Sequence, residues 1–434
     1  MSDVRDLILS TYNAQAVKLS AQYQSVKSAD VLAGLSARLP RYRALDIACG
    51  NGRDARWLAE QGMIVDAVDG APGMIAEAAD KNPHPNVSYS VDLMPDLTHI
   101  RKKVGATGEK YDAVVMSAAW MHLDAADRAK MFRTLGEITN PGAMMFITLR
   151  HGPAPADRPM FAVNAEELQG MAATQLMHFE HITDAKEDKL GRGDVWWDSV
   201  CLRVPDRHAD VLPTYRDGII QSAKNTSYKL GFTHCLIDLI RSQPGLVREY
   251  DDASYSVPIG PMLPRWIRMY DGLAEAGLLQ IKGNKRLTDP LNATRRFAQV
   301  ASGVRAEHFT DGHVFEGGRA QAALLVMKMA RDAMLQPTHF ITRPGSQFPV
   351  FRSVMQGRAM HEDQAVLLDE TLAGRFGEII VAKDIVHAGR DYGALIDAGI
   401  IREWARFTGK AAGQVSVDEL AQVQSRLEIA LKAA

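Results

Sequence analysis

Residues 44–52, read as ALDIACGNG, constrain this chain more than any other stretch. Three apolar residues, Ala44, Leu45 and Ile47, flank Asp46. The run Ala48-Cys49-Gly50-Asn51-Gly52 then turns the chain into RDARWLAEQG, which has helical spacing. A buried strand, a glycine turn and a helix start make the first half of a nucleotide-binding βαβ unit. A second strand over 63–69 ends on an acid. Asp69 lies nineteen residues after Gly50, about where an acid holds ribose hydroxyls.

The glycines alone decide little, because Gly50-x-Gly52-x-x-Ala55 also fits the NAD fingerprint. Asp46 argues against NAD. An acid just before the turn repels a pyrophosphate, which is held by bare backbone N–H groups and a helix N-terminus. It suits a cationic ligand, such as the ammonium of an amino acid attached to a nucleoside. The stretch LDIACGNGRDARWLAEQGMIVDAVDGAPGMIAEA resembles the class I methyltransferases that depend on S-adenosyl-L-methionine (SAM), whose motif runs D-x-x-C/G-G-x-G. The resemblance implies an α/β, Rossmann-like sheet with helices on both faces. It also implies SAM as cofactor, held by Asp46, Ala48, Cys49, Gly50, Asn51, Gly52, Asp69 and Gly70.

The same resemblance assigns further positions. A leading helical region over 4–36 is expected to cover the pocket, with Tyr12, Asn13 and Tyr23 in its lid or, for each tyrosine, packed on the sheet. Pro72 suits the first turn of a helix, and Met74 falls near the adenine. A third strand over 86–92 delivers Asp92 and Leu93 to the adenine, unless Asp92 only caps the next turn. The fourth strand, 111–117, has the apolar run of a strand buried on both faces and leads through Ser117 and Ala118 to Trp120 and His122. Many methyltransferases acting on base amines carry an acid- or asparagine-Pro-Pro-aromatic signature there. Ser117-Ala-Ala-Trp120 departs from it and weakens that reading. A helix over 127–139 and a fifth strand over 143–149 bring Arg150 and His151 to the same rim. His151 is the first candidate for a general base and His122 the second; Arg150, Trp120 and Trp197 are expected at the acceptor, with Trp196 beside them. A helix over 166–176 and strands at 178–183 and 195–204 complete the sheet.

The 434 residues, 46% hydrophobic and 24% charged, suit two or three globular domains. The net charge of −2 divides into −5 for 1–210 and +3 for 211–434, a mild hint of an anionic partner for the second half. Cys49, Cys201 and Cys235 are dispersed without a zinc spacing, so no metal is expected, and they fit a reducing cytoplasm. No apolar run reaches membrane-spanning length, so a cytoplasmic protein without membrane contact is expected.

The methyltransferase domain is placed at 1–205, a linker at 206–213 and a mainly α-helical domain at 214–434. The second half is similar to the region preceding the nuclease core in certain bacterial HNH endonucleases, through 225–229 (NTSYK), 257–270 and 394–408. No Cys pairs or His-rich segment of the nuclease follow Thr408. That resemblance implies a helical module for DNA or RNA. Basic sets at Lys282/Lys285/Arg286 and Arg295/Arg296 support it, and a protein contact or homodimer surface competes with it. Two functions stand beside the enzyme: a non-catalytic SAM-binding regulator, and an NAD-dependent oxidoreductase.

Overall fold

The computed structural model describes residues 2–32, 42–208, 210–278, 280, 303–347, 349–354, 365–369, 372, 374–414 and 416–432. The chain divides into two compact units, 1–207 and 208–434.

Unit 1 begins with α1 (Ser2–Ala14), α2 (Ala16–Gln24) and a short α3 (Ser28–Val31). It then alternates β1 (Arg43–Ile47), α4 (Arg53–Glu60), β2 (Ile64–Asp69), α5 (Pro72–Lys81), β3 (Val87–Val91), α6 (Thr98–Thr107), β4 (Tyr111–Met116), α7 (Ala125–Ile138) and β5 (Thr139–His151). It closes with α8 (Ala165–Gln175), β6 (His178–Glu187) and β7 (Trp196–Arg203). The strand order is β3-β2-β1-β4-β5-β7-β6, parallel except for β7, which runs antiparallel to both of its neighbours. The order reverses between β1 and β4, and the ends of these strands open the crevice in which open α/β sheets bind ligands.

Strand periodicity separates two apolar cores. Leu45, Ile47, Val114, Met116, Met145 and Ile147 join Ile100, Phe132, Leu135 and Leu168 from α6, α7 and α8. Ala44, Val65, Ala67, Ala113, Val115 and Phe146 join Ala55, Leu58 and Ala59 of α4. Residues on β1, β4 and β5 are therefore buried on both faces, which is why they read as nearly continuous apolar runs. Helix α6 was not expected from the sequence. Residues 140–142, between the helix and the strand expected from the sequence, lie inside β5, whose register against β4 shifts between Tyr111 and Ala113.

Unit 2 is mainly helical. Helix α9 (Leu212–Tyr215) leads to α10 (Tyr228–Ser242), α11 (Met262–Glu275), α12 (Gly318–Leu335), α13 (Lys383–Ala412) and α14 (Val417–Lys432). It also holds antiparallel strands: β8 (Arg248–Glu249), β9 (Ser254–Pro258), β10 (Val314–Glu316), β11 (Phe351–Val354), β12 (Ala365–Leu367) and β13 (Glu378–Ala382). They form a sheet of order β11-β13-β9-β8 and a separate β10-β12 pair. Of these only β13 is visible in the sequence pattern.

Helix α10 is buried on every side and so forms the centre of this unit. Gly231 lets α11 approach it, since a Cβ there would lie 2.6 Å from the Tyr270 hydroxyl. Helix α13 runs through 30 residues and kinks at the non-helical Tyr392. Ser227, which precedes α10, makes no side-chain cap and lies with its hydroxyl 3.1 Å from that of Tyr270. Tyr270 in turn packs against Trp266 and Trp404. The three stretches resembling the endonuclease region therefore converge in one buried aromatic core. The basic sets at 282–286 and 295–296 lie outside the described residues.

Candidate active site

A cavity opens at the carboxyl ends of the unit 1 strands, beneath α1 and α2. Asp46 enters it from β1, 1% exposed, and its Oδ2 has no hydrogen-bond partner. Burial, the charge of Asp54 and then that of Asp69 hold its carboxyl well above the usual range, against the pull of Arg53. Asp69, ending β2, accepts from the Gly50 N–H at 3.0 Å and from the Ala71 N–H at 2.9 Å. Burial nevertheless lifts it to about 6. Gly50 (φ 56) makes the turn, and Ala48 (φ 55) stands in the left-handed region without being glycine. Ala118 (φ 56) repeats this at the end of β4, where its N–H donates to Thr148 Oγ1 at 2.8 Å. Two strained alanines at adjacent strand ends of one cavity mark it as a functional site.

Other expected cofactor positions divide. Ala48, Cys49, Gly50, Asn51, Gly70, Asp92, Leu93, Ser117 and Ala118 line the cavity. The Asn51 amide, however, is spent on Ser20 O and Gln24 Oε1, which ties the turn to α2. Asp92 is a cap: its oxygens accept from the Leu93 N–H at 2.9 Å and the Ile100 N–H at 2.9 Å, satisfying the exposed start of α6. Gly52 and Met74 are not among the lining residues. Gly52 (φ 76) lies under Tyr89, and Met74 is fully buried among Ala16, Leu19 and Ala71.

The acceptor-side expectations need more correction. Tyr12, Tyr23, Arg150, Trp197 and His122 line the cavity; His151 and Trp120 do not. His151 leaves β5 on the other side, bonded through Nε2 to Asp198 Oδ2 at 2.8 Å and stacked on Trp196. Trp120 is completely buried, edge-on to Phe132. Period-2 alternation explains the exchange: Arg150 and His151 are neighbours on one strand and face opposite ways. Asn13 is no lid residue either; its Oδ1 accepts from the Gly73 N–H at 2.7 Å and docks α1 on the start of α5.

His122 sits on the short turn Trp120–His122, its Nε2 3.0 Å from the Tyr12 hydroxyl. Burial, then the charge of Arg158, pushes its imidazole down to about 4, so it is neutral near pH 7.

The sequence reading missed Arg53, Asp54, Arg158, Asp188 and Arg192, all of which line the cavity. Arg158 lies over the Tyr12 ring, 5.4 Å from its centroid, and Arg192 pairs with Asp188 at 2.7 Å. The only signal for Arg158 was its place in the proline-rich loop that follows β5. The walls thus differ in charge. Asp46, Asp69 and Asp92 stand at the ends of β1, β2 and β3, whereas Arg150 belongs to β5, Arg158 to the loop that follows it and Arg192 to the loop between β6 and β7.

Residues 44–142 match the family model described as "Methyltransferase domain", and residues 209–424 match "Domain of unknown function (DUF8808)". No curated protein matches the chain. Among solved structures, a DhpI–SAH complex is 19% identical, covering 48% of this chain and 100% of its own with a TM-score of 0.35. Magnesium protoporphyrin IX methyltransferase from Synechocystis PCC 6803 with bound SAM is 14% identical over 46% of this chain and 96% of its own (TM-score 0.34). A SAM-dependent methyltransferase from Anabaena variabilis ATCC 29413 is 14% identical over 45% and 94% (TM-score 0.36). Among the described residues no group of three His, Cys, Asp or Glu is arranged to hold a metal ion, and no helix is long and apolar enough to cross a membrane.

Proposed function

We propose that this chain, an S-adenosylmethionine-dependent methyltransferase, methylates a small acceptor that enters the cavity of unit 1 on its β4–β5 side. The observation that carries the reading is the buried, unpartnered Oδ2 of Asp46 in an acid-lined half of the cavity. A carboxylate so placed has no ion-pair partner of its own, since Arg53 is paired with Asp54, and an ammonium supplies one. A dinucleotide pyrophosphate brings the wrong sign. Asp69 keeps lone pairs for ribose hydroxyls beyond its two backbone bonds. Leu93 and Met94 border the β3 end, where the adenine lies in this reading, while Asp92 shapes that end as a cap.

SAM brings a methyl already electrophilic on its sulfonium, so the protein's work is alignment and exclusion of water. Helices α1 and α2 cover the cavity with Tyr12 and Tyr23. His122, neutral and held by Tyr12, is the group placed to accept a proton from an acceptor that must shed one. For unit 2 the reading is contact with nucleic acid, supported by the +3 balance of residues 211–434 and competing with a protein or homodimer surface.

Calorimetry on the full chain with SAM, its demethylated product and NAD tests the assignment. Both sulfur compounds are expected to bind, and Asp46→Ala is expected to weaken SAM at least tenfold. Binding of NAD without SAM rejects it.

A further inference from the structure

Arg150 is 6% exposed, yet it lines the cavity. Its guanidinium donates to two carbonyls, Gly152 O at 3.3 Å and Pro153 O at 2.9 Å, and its Nε is buried with no partner. Among the described residues no carboxylate lies within ion-pair distance of it. Asp188, an acid on that wall, is already taken by the Arg192 fork and by the Trp197 N–H at 2.9 Å. Arg158 adds a second cation, with its acid partner Asp157 3.6 Å away on the solvent side. Burial and the charges of Arg192 and Arg158 weaken the hold of Arg150 on its proton.

A buried guanidinium without an ion-pair partner is costly, the charges of Asp188 and Asp194 offset that only in part, and two backbone carbonyls fix its orientation. Its planar fork matches the oxygens of a carboxylate or phosphate. It stands at the end of β5, separated by β4 from the β1 end where Asp46 lies. We infer that the methyl acceptor carries an anionic group, a carboxylate or a phosphate, and that Arg150 is the residue that selects for it. This rests on the proposed methyltransferase reading of the same cavity. It makes the cavity bipolar: a cationic cofactor on the acidic wall and an anionic acceptor on the basic one. The acceptor's neutral end then points back toward β4, Tyr12 and His122.

The test uses the full chain saturated with S-adenosylhomocysteine, titrated by calorimetry with benzoate, inorganic phosphate and the neutral benzamide. Wild-type protein is expected to bind benzoate or phosphate, and the stronger of the two identifies the anion. Benzamide is expected to bind at least tenfold more weakly. Arg150→Gln is expected to lose anion binding at least tenfold with S-adenosylhomocysteine affinity within threefold. Arg150→Lys, which keeps the charge, should recover part of it. Equal binding of benzamide, no anion binding by the wild type, or unchanged anion affinity in Arg150→Gln overturns the inference. Loss of S-adenosylhomocysteine binding in both Arg150 variants also overturns it, because the arginine then serves the cofactor's carboxylate or the scaffold. If the wild type binds no S-adenosylhomocysteine at all, it is the methyltransferase reading of the cavity that fails.

Discussion

At the scale of single residues, the site trades stability for binding. Asp46 has a folded-state pKa raised above its usual value by burial and by Asp54. A raised carboxylate pKa means that the stability is complete below about pH 4, where both states are protonated, and is lost as pH rises through the folded value. Asp46→Asn is therefore expected to stabilise the ligand-free protein at pH 8 by on the order of 1–3 kcal/mol of relieved burial, read as a higher thermal midpoint. The gain should vanish toward pH 4, while SAM affinity falls at least tenfold. Scanning calorimetry across pH checks it, and a variant less stable at pH 8 counts against the idea. The two histidines give a second contrast. His122→Gln is expected to cut turnover tenfold or more with SAM affinity within about threefold, since the residue borders the cavity and is neutral above about pH 5. His151→Ala, outside the cavity and bonded to Asp198, should leave turnover within about twofold. Single-turnover rates separate the two, and the reverse ranking returns His151 to the active site.

At the scale of elements, the glycine turn is held as much by its neighbours as by its own sequence. Gly52 (φ 76) precedes α4, and a Cβ on it would lie 2.5 Å from the Tyr89 hydroxyl. That hydroxyl has one hydrogen to share between Asn82 O at 2.8 Å and Gly52 O at 3.3 Å, so β3 and the end of α5 brace the turn from behind. Gly52→Ala combines a left-handed backbone with a clash and is expected to cost about 2 kcal/mol or more. Urea unfolding would show it as a lower midpoint at unchanged slope. An unshifted midpoint would mean that Tyr89 swings aside freely. The braces explain why Gly52 matters without lining the cavity. Glycine spacing announced the turn, but Tyr89, Asn82 and Gln24 lie far from it in sequence and carried no visible signal.

At the scale of the whole molecule, the second unit poses the open functional question. The stretches that resemble the endonuclease region are buried: Ser227, Tyr270 and Trp404 build the core of unit 2. They therefore supply the interior of unit 2 and are no argument for a nucleic-acid surface. Nucleic-acid contact remains the proposal on charge alone, and salt tests it. Affinity of the full chain for labelled duplex or single-stranded DNA or RNA should fall about tenfold or more between 50 and 200 mM salt if several phosphates are neutralised. No binding at low salt, together with self-association in sedimentation, hands the unit to the protein-contact role.

The sequence by itself determined what depends on local pattern. Strand, turn and helix of the βαβ unit follow from apolar spacing and glycine, and Asp46 and Asp69 follow from their distance to that turn. Long buried runs such as 111–117 also declare themselves, because burial on both faces leaves no polar positions. Tertiary structure decided which neighbours face the cavity. Arg150 and His151 differ by one residue and only the pleat sends the first inward. Trp120 looked available beside His122, and the packing of α7 removed it. Asp92 lines the cavity and also caps α6, whose N–H comes from eight residues further on. Arg192 reaches the wall of Arg150 only because β7 inserts antiparallel beside β5, a pairing of residues some fifty positions apart that no local pattern encodes.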